Sequence, residues 1–472
     1  MTATAPPRPR AVLLGMQISG VDDREFASAL DELARLAKTL GFEVVARVTQ
    51  RRARLDPGAV VGAGKLKELA EWTGGSGEVP VGPPSKRRPS EEPSDDADEE
   101  PSREAAPSKR PEAARSEAKP SEDRRGEAER ARLVLVAHDL TPSQARNLER
   151  ATGAEVLDRT AVILAIFQRH AKSREARLQV EIARLSYIAP RLRETGGGGD
   201  REGGGIGGRG AGESKSELDR RKVRDRIAEL RTELASIERE AGTRRKRRGG
   251  QNTVSLVGYT NAGKSSWMRA LTGSGVLVED KLFATLGTTV RALSPEGATR
   301  VLVSDTVGFI KHLPHDLVAS FRSTLDEARE CDLLVHVVDA SDPAFEAQIA
   351  VTCEVLASIG ATESPRRMVL NKADRLDAAA RERIAAAHPE ALLLSAKRPE
   401  DIATLRAELL AFFERDMEEA ELVVPYALQR WVAVAHASGH VLAETHDATG
   451  TRLRVRAAPD VLARLRDALR RG

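Results

Sequence analysis

The chain has 472 residues, 40% hydrophobic, 31% charged and 3% aromatic, with a formal net charge of +3. That length exceeds what one core supports and points to about three or four units, and the near-neutral balance leaves polyanion binding to local clusters. Two cysteines without paired spacing, Cys331 and Cys353, exclude a disulfide scaffold, and no apolar run reaches the length of a membrane span. A cytoplasmic protein without a membrane span is expected, some membrane association being left open.

Residues 11–73 alternate as βαβα. AVLLGMQI and EVVARVTQ read as strands, and Phe26, Leu30, Leu33 and Leu36 recur between them at helical spacing. VVGAGKLKEL (60–69) echoes a phosphate loop, but Ala59 stands where its first glycine is needed and Leu66 where its hydroxyl is needed. A strand-to-helix turn is expected, with Gly62 and Gly64 giving tight geometry; ATP binding there is the weaker alternative. Residues 82–132 carry eight prolines and no aliphatic side chain larger than alanine. Such a stretch cannot bury enough surface to offset its ordering entropy, so a disordered insertion over 74–131 is expected. The pattern resumes with the strand LVLVAHD (133–139), the capped helix TPSQARNLERATG, the strand EVLD and the helix RTAVILAIFQRHA. The insertion therefore interrupts one α/β unit, residues 1–172.

A helical hairpin is expected over 173–248. Leu178, Ile182, Leu185 and Ile188 form one stripe, and Val223, Ile227, Leu230, Leu234 and Ile237 form a heptad seam. Between them, residues 196–212 hold eleven glycines, and the second helix ends in RRKRR. Strands and helices alternate again over 249–414, and the tail over 415–472 reads as a small βαββα unit. The fold class is α/β, its third part built on a doubly wound, mostly parallel sheet.

The chemistry lies in that third part. GYTNAGKS (258–265) fits G-x-x-x-x-G-K-[ST] between a strand-like TVSLV and a helix-like SSWMRALTG. Glycines let backbone N–H groups converge on a phosphate, and the helix N-terminus adds partial positive charge. Lys264 would bridge the β- and γ-phosphates, and Ser265 would hold Mg²⁺. VLVSDTVG (301–308) ends a strand in Asp305, positioned to bind Mg²⁺ through water, with Gly308 placed to sense the γ-phosphate. MVLNKAD (368–374) brings Asn371, Lys372, Ala373 and Asp374. A carboxylate at Asp374 pairs with guanine N1–H and the 2-amino group, which adenine cannot match. LLLSAK (392–397) brings Ser395, Ala396 and Lys397, with the Ala396 N–H aimed at guanine O6. Four such signals, in one order and each at the carboxyl end of a parallel strand, describe a GTP site. A second Mg²⁺ ligand is expected in KLFATLGTTVRAL, where Thr285, Thr288 and Thr289 are tied on chemistry alone.

The chain as a whole resembles the HflX family of ribosome-associated GTPases. The resemblance rests on LTPSQARNLE, VLDRTAVILAIFQRHAKSREARLQVEIARLSY, GGGIGGRGAGESKSELDRR, FATL and DTVGFIKHLPHDLVASFRSTLDEARECDLLVHVVDASDP. It implies Thr285 as the switch-loop Mg²⁺ ligand. Gly287 replaces an aspartate common in the family, and Thr288 a proline. The implied nucleotide contacts are Gly258, Tyr259, Thr260, Asn261, Ala262, Gly263, Lys264, Ser265 and Ser266 in the phosphate loop. Phe283, Ala284, Thr285, Leu286 and Gly287 join them from the first switch, and Asp305, Thr306, Val307 and Gly308 from the second. Lys264, Thr285 and Gly308 would carry the catalysis. Phe309 stands where many GTPases place a water-orienting glutamine, so hydrolysis without a partner is expected to be slow. Asn261 matches the asparagine of potassium-assisted GTPases, which makes K⁺ a candidate cofactor beside Mg²⁺; a turn-forming asparagine is the plainer alternative.

The resemblance also implies a partner, the large ribosomal subunit and its RNA. Arg244, Arg245, Lys246, Arg247 and Arg248, with Gly204, Gly205, Gly207 and Arg209 at the tip, are the candidate RNA contacts. A charged helix face is equally well a solvated one. A monomeric GTPase that separates stalled ribosomes is the expected function. A ribosome-binding or assembly factor without splitting activity is the alternative, and a metabolic nucleotidase the third reading.

Overall fold

The computed structural model describes residues 8–79, 130–193, 215–247, 251–273, 282–283, 289–295, 299–311 and 322–471. The first part opens with β1 (Arg10–Ile18), α1 (Asp23–Thr39), β2 (Glu43–Arg52) and α2 (Ala63–Thr73), and continues with β3 (Leu133–Val136), α3 (Pro142–Thr152), β4 (Glu155–Asp158) and α4 (Arg159–His170). Its four strands run parallel in the order β2-β1-β3-β4. β1 is buried along almost its whole length, as a strand covered by helices on both faces must be. The T-x-x-Q signal of α3 forms a reciprocal cap, Thr141 receiving the Gln144 N–H and Gln144 receiving the Thr141 N–H.

Two expectations in this part are corrected. The insertion is narrower than 74–131. The N–H of Gly77 donates to the Ala151 carbonyl at 2.8 Å, and a Cβ at Gly75 would meet that same oxygen at 2.3 Å. Residues 74–79 therefore pack on the end of α3, and Ala131 bonds to Trp72; residues 80–129 lie outside the described ones. The turn at 60–64 also differs. Gly62 is extended, and Val60 is the residue with a left-handed φ of 70°, inside a bridge to Asp56.

α5 (Arg174–Ile188) and α6 (Lys215–Arg247) pair, with Leu178, Ile182, Leu230 and Leu234 buried between them and Leu185, Ile227 and Ile237 alongside. Each fully buried leucine contributes roughly 1.5–3 kcal/mol. α5 has a second apolar face: Ala176, Val180 and Ala183 belong to the core under the first sheet. Asp158 ties this root down. It caps α4 and also accepts from Tyr187 and Arg191, both at 2.6 Å, the guanidinium lying over the Tyr187 ring.

The third part contains β5 (Asn252–Val257), α7 (Lys264–Thr272), β6 (Thr289–Ala292), β7 (Val301–Asp305), α8 (Arg322–Glu330), β8 (Leu333–Asp339), α9 (Phe345–Ser358), β9 (Arg366–Asn371), α10 (Ala378–Ala387), β10 (Leu392–Leu393) and α11 (Pro399–Glu414). The strand order is β10-β9-β8-β5-β7-β6, parallel except for β6. The order reverses at β5 and β8, so the crevice at their carboxyl ends is the fold's natural ligand position. The tail forms β11 (Glu418–Val424), α12 (Arg430–Ser438), β12 (His440–Asp447), β13 (Gly450–Ala457) and α13 (Pro459–Arg471) around an antiparallel sheet, β11-β13-β12. Among the described residues, no helix is long and apolar enough to cross a membrane.

Candidate functional site

The loop after β5 is shaped by two glycines that no other residue could replace. Gly258 has φ 146°, and a Cβ there would lie 2.1 Å from the Val337 carbonyl oxygen. Gly263 has φ 102°, and a Cβ there would lie 2.2 Å from the Asn371 amide nitrogen. Asn261 also takes a left-handed φ, 61°, which asparagine tolerates well. The turn delivers Lys264 to the first residue of α7, and its ammonium donates to the carbonyls of Gly258 and Tyr259 at 3.1 and 3.0 Å. Lys264 is only 6% exposed. Burial pulls its pKa down to about 8, partly opposed by the nearby Asp305 charge. A cation kept at that cost, at the N-terminus of a helix, suits a polyanion.

Asp305 ends β7 fully buried, and Ser265 donates to its Oδ2 at 2.7 Å. Two hard oxygen groups, of the kind a divalent cation takes, are therefore adjacent here. Thr306 donates to the Leu256 carbonyl, and Val307 joins the core beneath. Gly308 lies against the phosphate loop, where a Cβ would approach the Thr260 Cα to 2.7 Å and the Lys264 Nζ to 3.1 Å. The next residue is zipped to that loop: Thr260 N–H donates to the Phe309 carbonyl and Phe309 N–H to the Gly258 carbonyl. The Phe309 ring packs with Val257, Leu325, Ala328 and Leu356, turned into the core.

Across the crevice, Asn371 is buried and bridges two loops. Its amide donates to the Ala262 carbonyl at 2.8 Å, and its oxygen accepts from Ala396 N–H at 3.2 Å. Lys372 donates to the Asn261 carbonyl and to Asp339 at 2.9 and 2.7 Å. Ala373 is buried under this turn, its N–H bonded to Leu394. Asp374 accepts from Ser395 at 2.7 Å and from Lys397 at 3.4 Å. Partial burial would raise the Asp374 pKa, but these hydrogen bonds outweigh it and hold the carboxyl below its ordinary value. The Ser395 N–H is held by Asp401 at 2.8 Å. Asp339 and Asp401 are positioning groups that sequence reading missed; Asp339 carried a signal, a carboxylate ending an apolar strand.

Not every expected residue faces this crevice. The Phe283 ring is buried against Phe167 of α4, edge to face at 4.6 Å, although its N–H still bonds the Thr260 hydroxyl at 3.0 Å. The Tyr259 ring is likewise buried among residues of the first part, leaving only its backbone in the loop. Ser266 is half-buried on α7. Thr289 opens β6, opposite Asp305 in the antiparallel register. Ala284, Thr285, Leu286, Gly287 and Thr288 lie outside the described residues, as do Gly204, Gly205, Gly207, Arg209 and Arg248. The run Arg244–Arg247 falls in the last turns of α6.

Known proteins match this architecture along its length. Residues 27–78 and 117–168 fit the family model described as GTP-binding GTPase N-terminal, 170–248 the GTP-binding GTPase Middle Region, and 253–372 the 50S ribosome-binding GTPase. GTPase HflX of Gluconacetobacter diazotrophicus is 55% identical over 467 residues, 99% of each chain. GTPase HflX of Caldanaerobacter subterraneus is 35% identical over 99% of this chain and 95% of its own. The chain belongs to the HflX family of GTPases. GTP binding and hydrolysis, the family's activity, are therefore the activity of this chain. GTPase HflX of Escherichia coli is 45% identical over 52% of this chain and 58% of its own. A Sulfolobus solfataricus GTP-binding protein in complex with GDP is 21% identical over 85% of this chain and 99% of that one, at a TM-score of 0.42.

Proposed function

We propose that this HflX-family GTPase acts on the ribosome, binding the large subunit and separating stalled ribosomes when loaded with GTP. What carries the reading is the union of a GTPase core, matching a model described as a 50S ribosome-binding GTPase, with a hairpin rooted in the first sheet and ending in basic residues. The parts are 1–172, the α/β unit; 173–248, the hairpin; 249–414, the GTPase core; and 415–472, the small tail. Lys264 neutralises the β- and γ-phosphates, the Gly308 N–H meets the γ-phosphate, and Asp374 selects guanine, with Asn371, Ala396 and Lys397 shaping the base pocket. Ser265 and Thr285 would hold Mg²⁺ directly and Asp305, 2.7 Å from the Ser265 hydroxyl, through water. Bound there, the ion would supply neutralisation of phosphate charge. K⁺ beside Asn261 is a second candidate ion.

The buried Phe309 ring cannot hydrogen-bond an attacking water. Turnover of the protein alone is then on the order of 10⁻⁴ to 10⁻³ per second, and a partner that places the water adds several decades. Contacts from α6 and the hairpin tip to RNA phosphates would weaken steeply with salt. GTP turnover with and without purified large subunits tests the proposal; a rate indifferent to the subunits removes the ribosome from it. Sucrose-gradient profiles then separate splitting from binding alone. Idle ribosomes that stay intact with GTP and protein leave a binding or assembly factor.

A further inference from the structure

The phosphate loop is joined to the first part of the chain through Tyr259, by its ring and by a buried hydroxyl. Tyr259, second residue of the loop, sends its ring into a core shared with Leu33 and Leu36 of α1, Ile163 and Phe167 of α4, and Ile310. Its hydroxyl donates to Glu32 Oε2 of α1. The Tyr259 hydroxyl oxygen itself accepts the N–H of Lys311 at 2.9 Å. Glu32 is in turn held by Arg159 of α4, through Nη2 at 2.6 Å and Nε at 3.2 Å. Tyr259 and Glu32 are 6% and 8% exposed. Burial first, and the neighbouring Glu32 charge second, push the phenol pKa well above its ordinary value, so the hydroxyl keeps the proton it donates.

Lys311 lies three residues after Gly308, and Phe309 between them offers no group to the reacting water. Backbone bonds place this segment, from Phe309 to Gly258 and Thr260 and from Lys311 to Tyr259, beside the buried Ile310 side chain and an exposed ion pair of the Lys311 ammonium with Glu25 of α1. The first two lie within the GTPase core. The third depends on a hydroxyl whose orientation is set by a carboxylate from another part of the chain. We propose that Tyr259 and Glu32 are positioning residues for GTP hydrolysis, the first sheet's helix supplying the carboxylate that fixes the Gly308–Lys311 segment over the phosphate loop.

The test uses the full chain in single-turnover GTP hydrolysis at saturating nucleotide, with GTP affinity and unfolding temperature measured in parallel. Tyr259→Phe keeps the ring in its core and removes only the hydroxyl. It should slow the chemical step about tenfold or more and change GTP affinity less than about twofold, since one buried hydrogen bond to a charged group is lost from the switch segment and not from the nucleotide. Glu32→Ala should slow it similarly, and the double variant should be no slower than either single one, because both act through one bond. Glu32→Gln keeps an acceptor for the hydroxyl and should recover most of the rate lost in Glu32→Ala. Arg35→Ala, which breaks the exposed interface ion pair with Asp342, serves as the docking control and should leave the rate unchanged. The proposal is overturned if Tyr259→Phe hydrolyses at the parent rate, if the two losses multiply, if Glu32→Gln is as slow as Glu32→Ala, or if Arg35→Ala slows the step as much as Tyr259→Phe. Should Glu32→Ala fail to fold, Tyr259→Phe against Glu32→Gln still decides it.

Discussion

Two turns in this chain carry the letters G-x-G-K or G-K after a valine-rich run, and they do different work. At 258–265, both glycines stand where a Cβ would overlap a backbone carbonyl or an amide, and the lysine is buried on carbonyl oxygens. At 62–65, Gly62 is extended, Gly64 faces open space, and Lys65 reaches out to pair with Glu68 three residues along α2. The first loop follows a central strand at a crevice of its sheet; the second follows an irregular bridge. A phosphate cradle is therefore made by the space around its glycines, and a short pattern of letters does not contain that space. The turn at 60–69 is thus not shaped as a phosphate cradle.

The contrast can be broken by substitution, the largest effect first. Gly258→Ala forces a Cβ into the Val337 carbonyl at a φ that alanine resists, and should abolish GTP binding while destabilising the fold by about 3 kcal/mol; calorimetric titration with GTP and a melting curve measure both. A next step is acid. His336 in β8 is fully buried, and among the described residues neither ring nitrogen has a hydrogen-bond partner. Burial, reinforced by the Arg366 and Lys264 charges, lowers its pKa to about 4. The unfolded chain then binds the extra proton between about pH 6.5 and 4, so stability is intact above 6.5 and falls by ~3 kcal/mol across that window. His138 and His170, in the first part, are hydrogen-bonded to backbone carbonyls. Hydrogen exchange at falling pH should accordingly open β5 and β8 before β1 and β3, and His336→Leu should flatten the pH dependence.

Lys264→Ala should cut kcat/KM for GTP by about 10²–10³ with little change in melting temperature, since it removes a charge aimed at the phosphates. The matching change Lys65→Ala should move neither turnover nor stability beyond about 0.5 kcal/mol. Smallest of all, Gly64→Ala in the first turn of α2 should stabilise slightly, by about 0.5 kcal/mol, because an exposed helical glycine gives up backbone entropy for nothing. If Gly64→Ala instead impairs GTP turnover, the two turns are not as different as their geometry says.

Much of the fold was legible because its signals are local. Period-two and period-3.6 patterns gave the strands and helices of both sheets, and the leucine seam located the hairpin. The crevice residues were legible because each motif ends a strand, and strand ends converge in this topology. Other features were not local. The second face of α5 is made of Ala176, Val180 and Ala183, too small to stand out as a stripe. The positive φ at Val60 violates the preference of a β-branched residue, so reading favoured the glycines beside it. Glu32 had no signal at all, since an acidic residue on an amphipathic helix is ordinarily solvated; its partners, Arg159 and Tyr259, lie 127 and 227 positions away. For the same reason the burial of Phe283 against Phe167 could not be read from FATL.

α6 is continuous over 33 residues, about 50 Å, and only residues 248–251 separate its last turn from the strand that leads into Gly258. Such a rod is a mechanical amplifier. A tilt of about 5° at the end next to the GTPase core sweeps the far end through about 4 Å, roughly the thickness of a stacked base. A modest rearrangement around the phosphates could thus be converted, with no further machinery, into a stroke on the scale of a molecular contact.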